Sequence, residues 1–330
     1  MKFSILLYFI LISGYSFAQS KPEKLTQSSQ KENKKVEKNI SKNRNFYQNQ
    51  IKLNPRSADA WLNYYISAEE SLDLSLAERR SLQSEIFSSS SVYIKNSWQY
   101  SLFKFIESGK KDSSALFNAL QLTQNKVSIF PYVIQYSIIK NDEDLLKEYS
   151  IKLNALNKMS QAVYEYHYNT LMSADSNAII YAKGLNDLVP LAILQNVYNI
   201  RTDIKLKYFD ENIKERENVY LCISLGKEII SKYSNGVYSG LLLRLNGSQD
   251  FMEPNPEKVF KLSSLLHLNN LTEEELLMYR NYLPSFILHY NKLLKANDKD
   301  AVSWRDIIMN LGIQTGMQNS VETILNKNLH

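Results

Sequence analysis

Helical periodicity dominates this chain from about residue 46 onward and is broken there only between residues 173 and 250. Apolar or aromatic residues recur three and four positions apart over 97–109, 132–141 and 161–173, which is the period of an amphipathic helix. Short polar connections separate these stretches and favour antiparallel helical hairpins. The sequence therefore predicts a mainly α protein whose middle has a different structure.

Helix starts are marked at three places by a small polar residue that is followed three positions later by Glu. This is the pattern of a capping box, in which each side chain bonds a free backbone N–H of the first turn. The pairs are Ser75 with Glu78, Thr272 with Glu275, and Asn319 with Glu322.

Two segments ending in Trp resemble each other and resemble the junction between tetratricopeptide repeats. "LNPRSADAW" ends at Trp61 and "ANDKDAVSW" ends at Trp304, with Asn, a basic residue, a cap and Ala at matching positions. In such junctions a helix ends at a Pro turn, and a Trp lies on the first turn of the next helix. The spacing from Pro55 to Trp61 fits, whereas Asp298 stands where the second copy would have Pro.

The middle of the chain alternates strand patterns with helix patterns. Such alternation favours a small parallel sheet joined by crossover helices. The predicted strands are 177–182, 203–209, 218–224 and 236–245, and the predicted helices are 187–200 and 226–233. We therefore expect tetratricopeptide-like helical hairpins with an inserted α/β module of parallel strands.

Five regions follow from these patterns. They are a signal peptide (1–18), a disordered basic linker (19–45), a helical repeat-like region (46–172), the α/β module (173–250) and a C-terminal helical region (251–330). The linker holds eight Lys or Arg against three Glu, which accounts for the chain's whole net charge of +5.

The N-terminus predicts export. An early Lys and an apolar run precede Ser16-Phe17-Ala18, which fits the small-x-small rule for signal peptidase. Cys222 is the single cysteine, so no intramolecular disulfide can form. We expect a periplasmic or secreted protein with no integral span after signal removal, and association with the membrane through partners is left open.

The stretch 181–195, "YAKGLNDLVPLAILQ", contains the candidate site. A strand, a turn with Gly and a helix form the local pattern of phosphate-binding sites, so Lys183, Gly184, Asn186 and Asp187 are candidate ligand-binding residues. The structural interpretation is favoured: Gly184 permits a tight turn, and Asn186 or Asp187 caps the helix. An acidic residue there would also repel phosphate.

The segment 177–206 resembles the soluble C-terminal region of large Bacteroidetes envelope proteins, whose multi-span membrane part is described as glycosyltransferase-like. The family pattern has an apolar strand, a polar turn, Pro-Leu, a helix with Gln, an Arg-Pro-Asp run and a further strand. The matching positions, including two in a later strand pair, are Gly184, Asn186, Asp187, Pro190, Leu191, Gln195, Arg201, Asp203, Gly240 and Arg244.

The resemblance covers about residues 175–246 and implies an α/β segment beside tetratricopeptide-like helices. Leu185, Leu188 and Thr202 depart from the family's acidic, hydroxyl and Pro positions. The membrane part of the family is absent, so its chemistry does not transfer to this chain. What the resemblance adds is the alternative of a glycan-handling accessory or degenerate enzyme that binds a polar ligand at 184–187.

No residue pattern predicts catalysis, a metal or a cofactor. The four His are scattered, and neither a His-Glu-x-x-His run nor a nucleophile elbow is present. His167 and most of the 22 Tyr fit packing positions on helices. We therefore expect a non-enzymatic scaffold for an envelope protein partner, with a glycan as the alternative ligand and no role in nucleic-acid binding.

Overall fold

The computed structural model describes residues 44–69, 74–215, 217–245 and 254–327. The predicted signal peptide lies outside the described residues, as does all but the last two positions of the predicted linker. The described chain forms two compact units, 44–140 and 141–327. Within the described ranges, no helix has the length and apolarity needed to cross a membrane.

The first unit is entirely helical, and each helix packs against the next along the chain. The short connections make these neighbours helical hairpins, as the periodicity predicts. The helices are α1 (44–53), α2 (Ala58–Glu69), α3 (Leu76–Ile94), α4 (Trp98–Glu107), α5 (Ser113–Leu122) and α6 (Phe130–Lys140).

A buried Tyr ties three helices of this unit together. The Tyr65 ring of α2 stacks on Phe103 of α4 with centroids 4.6 Å apart. Its hydroxyl donates to Glu107 Oε1 at 2.8 Å, and Ser84 of α3 donates to the other oxygen of the same carboxylate at 3.0 Å. Burial, and then the Glu107 carboxylate, raise the pKa of Tyr65 well above its ordinary value.

The second unit surrounds a small sheet with helices on the N- and C-terminal sides. Its helices are α7 (Glu143–Leu156), α8 (Gln161–Met172), α9 (Leu185–Asn196), α10 (Lys227–Ile230), α11 (Pro256–Val259), α12 (Glu273–Tyr279), α13 (Leu283–Lys295), α14 (Ala301–Gln314) and α15 (Gln318–Lys327). The strands are β1 (Ile179–Ala182), β2 (Lys205–Tyr208), β3 (Val219–Cys222), β4 (Val237–Ser239) and β5 (Leu242–Leu245).

The sheet confirms a mainly α fold with an inserted α/β module, and it has the order β2-β1-β3-β5-β4. Strands β2, β1 and β3 are parallel, whereas β5 is antiparallel to both β3 and β4. The predicted single strand 236–245 is a hairpin instead. Gly240, at φ +54°, turns the chain between its two strands.

Two of the three predicted capping boxes are confirmed. Both hydrogen bonds are formed at Ser75 with Glu78 and at Thr272 with Glu275. The third is wrong, because α15 begins at Gln318 and Asn319 lies inside its first turn.

Helix α8 is the centre of the second unit. One side packs against α9, and the other contributes Ala162, Val163 and Tyr166 to a core shared with α12, α13 and α14. Eight of its twelve residues are buried, so the apolar stripe of an ordinary surface helix is replaced by burial on several sides. Polar residues of α8 are therefore buried as well and need internal partners.

Glu165 of α8 finds its partners on the chain that follows α11. Ser263 Oγ donates to its carboxylate, as do the Ser264 backbone N–H at 2.8 Å and Gln161 Nε2 at 2.8 Å. Burial alone would raise the pKa of Glu165, but these hydrogen bonds outweigh burial and lower it. The buried carboxylate thus fixes the start of the 3₁₀ segment Ser263–Asn270 against α8.

Replacing Gly240 by Ala should strongly destabilise the fold. A Cβ there would lie 2.2 Å from Ser173 Oγ and 2.8 Å from the Phe260 ring, in addition to the strain of a positive φ. We expect a loss of roughly 2–4 kcal/mol in the free energy of unfolding, measured by denaturant titration.

Gly184→Ala is the matched control for Gly240→Ala. Its Cβ would meet only the Asn186 backbone N, at 3.8 Å. A change within about 1 kcal/mol is expected. Equal effects of the two substitutions would contradict the proposed packing of Gly240.

Candidate functional site at the β1–α9 corner

The four predicted site residues do not form one array. Lys183 follows β1 and is half-buried, Gly184 is exposed, Asn186 is half-buried and Asp187 is buried. Asp187 belongs to the first turn of α9, and its carboxylate contacts groups inside the protein. A ligand approaching from solvent would therefore meet the chain around Gly184 and Asn186.

Gly184, which was predicted to permit a tight turn, has an ordinary backbone conformation, so this position does not depend on glycine. Its φ of −77° and ψ of 155° are accessible to any residue. The predicted cap by Asn186 or Asp187 is also wrong, because α9 already begins at Leu185. Gly184 is the N-cap, so no side chain caps this helix.

Asp187 lies between a Ser and a His that the sequence analysis did not connect with it. Ser224 Oγ, just beyond β3, donates to Asp187 Oδ2 at 2.7 Å. His167 Nε2, on α8, lies 3.8 Å from Asp187 Oδ1. His167 is fully buried and Asp187 is 5% exposed, so the cluster joins α8, α9 and the end of β3 within the core.

The position of the carboxylate decides what this cluster can do. His167 Nδ1 lies 2.8 Å from the Val163 carbonyl oxygen, an acceptor, so Nδ1 carries a proton. His167 Nε2 has no hydrogen-bond partner among the described residues. In a catalytic triad the imidazole contacts the nucleophile, but here Asp187 separates Ser224 from His167. The arrangement therefore lacks the base–nucleophile contact of acyl transfer.

The Asp187 carboxylate also acts on its neighbours electrostatically. Burial, followed by the charge of Asp187, raises the pKa of the Cys222 thiol well above its usual value. The same two causes raise the pKa of Tyr166. Cys222 is 2% exposed, and a neutral buried thiol is a poor nucleophile.

The order of the strands in the sheet could have indicated that Asp187 and Ser224 lie close together. β1 lies between β2 and β3, so the chain passes from β1 to β2 on one side of β1 and later adds β3 on the other side. The carboxyl ends of parallel strands at such a switch point face one crevice. Asp187 and Ser224 follow those ends, but nothing in the local sequence indicates that His167 completes the cluster.

Arg201 holds the C-terminal end of α8. Its guanidinium donates to the carbonyl oxygens of Leu171, Ala174 and Asp175 at 2.7–3.0 Å, which lie in the last turn of α8 and just beyond it. It also donates to both oxygens of Asp203 at 2.9 Å. A cation at a helix C-terminus is favoured by the dipole as well.

Asp203 and Gln195 complete this clamp. Asp203 Oδ2 accepts the Asn177 backbone N–H at 2.9 Å, which ties the start of β1 to the start of β2. Gln195 Nε2 donates to the carbonyls of Arg201 and Ile204 at 2.8 and 2.7 Å. The hydrogen bond from Arg201 is the main reason that the pKa of Asp203 is lowered to about 2.

Gly240 and Arg244, the two matching positions of the family resemblance in the later strand pair, also lie near the end of α8. Arg244 of β5 pairs with Asp175 at 3.2 Å, and Gly240 approaches Ser173. Every hydrogen bond or ion pair described for these motif residues is thus internal to the second unit. The motif residues that make such contacts stabilise a corner.

A third polar group lies on β1 and β2. Tyr181 Oη and Lys207 Nζ both donate to the Glu215 carboxylate. The hydrogen bonds from Lys207 and then Tyr181 lower the pKa of Glu215 to about 2. All three groups are satisfied by one another, so this trio has the character of a structural contact.

Metal coordination has no support in the described part of the chain. No three His, Cys, Asp or Glu side chains there are placed to hold a metal ion. The Asp187 cluster contributes only one carboxylate and one imidazole, fewer than a structural zinc site requires.

The low pKa of Asp203 predicts a specific acid sensitivity. Its ordinary value is 3.8 and its value in the fold is about 2, so its contribution to stability is present above about pH 4. That contribution is lost as the pH falls towards 2. Asp203→Asn should therefore flatten the decline of unfolding free energy between pH 4 and 2, measured by urea titration at each pH.

Asp306→Asn, which removes an exposed carboxylate of α14, is the control for Asp203→Asn. If both variants lose stability over pH 4 to 2 as the wild type does, Asp203 does not clamp the corner.

No protein-family model matches this chain, and no curated protein or solved structure matches it either. The resemblances to the Bacteroidetes envelope proteins and to tetratricopeptide repeats thus stay predictions.

Proposed function

We propose that the protein is a non-enzymatic, exported scaffold that binds a protein partner on its helical unit, residues 44–140. The export pattern at the N-terminus supports a periplasmic or secreted location. The internal use of Arg201, Asp203 and Asp187 supports binding over catalysis. The observation that carries the proposal is an exposed apolar surface around Trp61.

This Trp61 surface consists of Leu53, Val92 and Tyr93. Trp61 itself is buried, and its indole N–H donates to the Pro55 carbonyl at 2.7 Å. The Tyr93 ring stacks on Trp61 with centroids 6.2 Å apart. Leu53, two residues before Pro55, is 81% exposed, and Val92, next to Tyr93, is 77% exposed. We propose that these exposed side chains form one apolar patch beside Trp61, and that a partner covers it.

The charges near the Trp61 surface indicate the kind of partner. Lys52, Arg56 and Lys95 flank it in sequence and are exposed. None of them forms an ion pair within the described residues. Charge complementarity therefore favours an envelope protein segment with apolar anchors and acidic residues.

We predict that Val92→Asp weakens partner binding at least about tenfold, because it places a carboxylate against an acidic partner. The secreted form, residues 19–330, would be immobilised and exposed to envelope extract of the producing bacterium. The recovered protein would then be purified and its affinity measured by calorimetry at two salt concentrations.

Leu122→Asp, on the exposed face of α5, is the control for Val92→Asp. Higher salt should also weaken binding if the flanking cations contribute. The proposal fails if repeated extractions recover no partner, or if Val92→Asp binds as tightly as Leu122→Asp.

A polar ligand at residues 184–187, in a glycan-handling accessory or degenerate enzyme, is the second candidate. One observation favours it. No side chain caps the exposed N-terminus of α9, so no capping side chain bonds the first backbone N–H groups of this helix. Nucleotide-sugar titration would test it. The buried position of Asp187 is why we rank it second.

A further inference from the structure

A second surface, remote in sequence from Trp61, is built from four segments of the 141–327 unit. We call it the Tyr198 surface, and it consists of Asn154 on α7, Tyr164 and Tyr168 on α8, Tyr198 beyond α9, and Lys261 beyond α11. Each member contacts the next, from Asn154 through the three rings to Lys261.

The three rings provide flat faces in two orientations. Tyr164 and Tyr168 have nearly parallel planes, 17° apart, with centroids separated by 6.2 Å. Tyr198 is nearly perpendicular to Tyr164, at 81° and 5.6 Å. The surface therefore presents a pair of stacked rings, Tyr164 and Tyr168, and a third ring, Tyr198, at about right angles to Tyr164.

The rings of Tyr164, Tyr168 and Tyr198 are more exposed than a ring packed in the core. Tyr166, which lies between Tyr164 and Tyr168 on the same helix, is only 2% exposed. Tyr164 and Tyr168 are half-buried, and Tyr198 is 41% exposed. The Tyr198 hydroxyl donates to Asn154 Oδ1 at 3.3 Å, which leaves the amide nitrogen of Asn154 available as a donor.

Lys261 adds a cation whose position is fixed. Its ammonium lies 4.2 Å from the Tyr168 ring centroid and 4.8 Å from that of Tyr164. Its backbone is held by buried Asn169, which accepts from the Lys261 N–H and donates to the Lys261 carbonyl, both at 2.7 Å. Among the described residues Lys261 forms no ion pair, so its charge is not neutralised within the protein.

We propose that the Tyr198 surface binds an acidic glycan, with a sugar ring against the tyrosines and a carboxylate at Lys261. The apolar face of a sugar ring packs against aromatic faces, while its hydroxyls bond to amide and phenol groups. A small inorganic anion would use only Lys261 and a neutral sugar only the rings, whereas an acidic glycan uses both. This site is separate from the Trp61 surface and independent of the proposed protein partner.

The test is calorimetric titration of residues 19–330 with a galacturonic acid hexamer, and with maltohexaose and a glutamate hexamer as comparison ligands. The acidic glycan should bind more tightly than either. Tyr198→Ala should weaken its binding at least about tenfold, because an exposed stacking face is lost. Lys261→Met, which keeps the length of the side chain, should remove the preference over maltohexaose.

Asn154→Asp serves as a second variant that keeps side-chain size, and it should also weaken binding because it repels the ligand's carboxylates. Phe46→Ala, which removes an exposed aromatic ring of α1 that belongs to neither proposed surface, is the matched control and should bind like the wild type. The proposal is overturned if no hexamer binds or if the glutamate hexamer binds as tightly as the glycan. It is equally overturned if Tyr198→Ala and Lys261→Met leave the affinity unchanged.

Discussion

The central buried helix, α8, imposes the constraint on which the 141–327 unit depends. Because it packs on several sides, its polar groups and its last carbonyls are withdrawn from water and must be bonded internally. Arg201 satisfies the carbonyls, Glu165 and Asn169 bond the chain that follows α11, and His167 Nδ1 donates to the Val163 carbonyl. The sheet, α9 and the C-terminal helices are positioned by these bonds.

The fold was predictable from the sequence where local periodicity and packing agree. β1, β2, β3 and α9 lie where their patterns place them, because a strand that is apolar on both faces must be covered by helices. The run 236–245 was misassigned as one strand because its apolar residues continue through Gly240. Only the approach of Gly240 to Ser173, 67 positions earlier, explains why the chain turns there.

The candidate site was harder to predict because a side chain near a helix start has several possible partners. Asp187 could have capped α9, but it accepts from Ser224, which is 37 positions away. Local sequence cannot distinguish these outcomes, since the choice depends on β3 lying next to β1. The same limit applies to the tyrosines: Tyr166 is buried and Tyr164 and Tyr168 are not, although all three share one helix.

Because Asp187, Arg201 and Asp203 make internal bonds at the corner, we propose that function belongs with surfaces whose groups are not already used by the fold. Comparing Asp187→Ala with Asn186→Ala tests this most directly, by the free energy of unfolding from denaturant titration. Asp187→Ala should cost about 1–2 kcal/mol, because the half-buried Ser224 hydroxyl would lose the carboxylate that accepts its hydrogen bond, and Asn186→Ala should stay within about 0.5 kcal/mol. Equal stability of the two variants would contradict the account and return Asp187 to the list of ligand-binding residues.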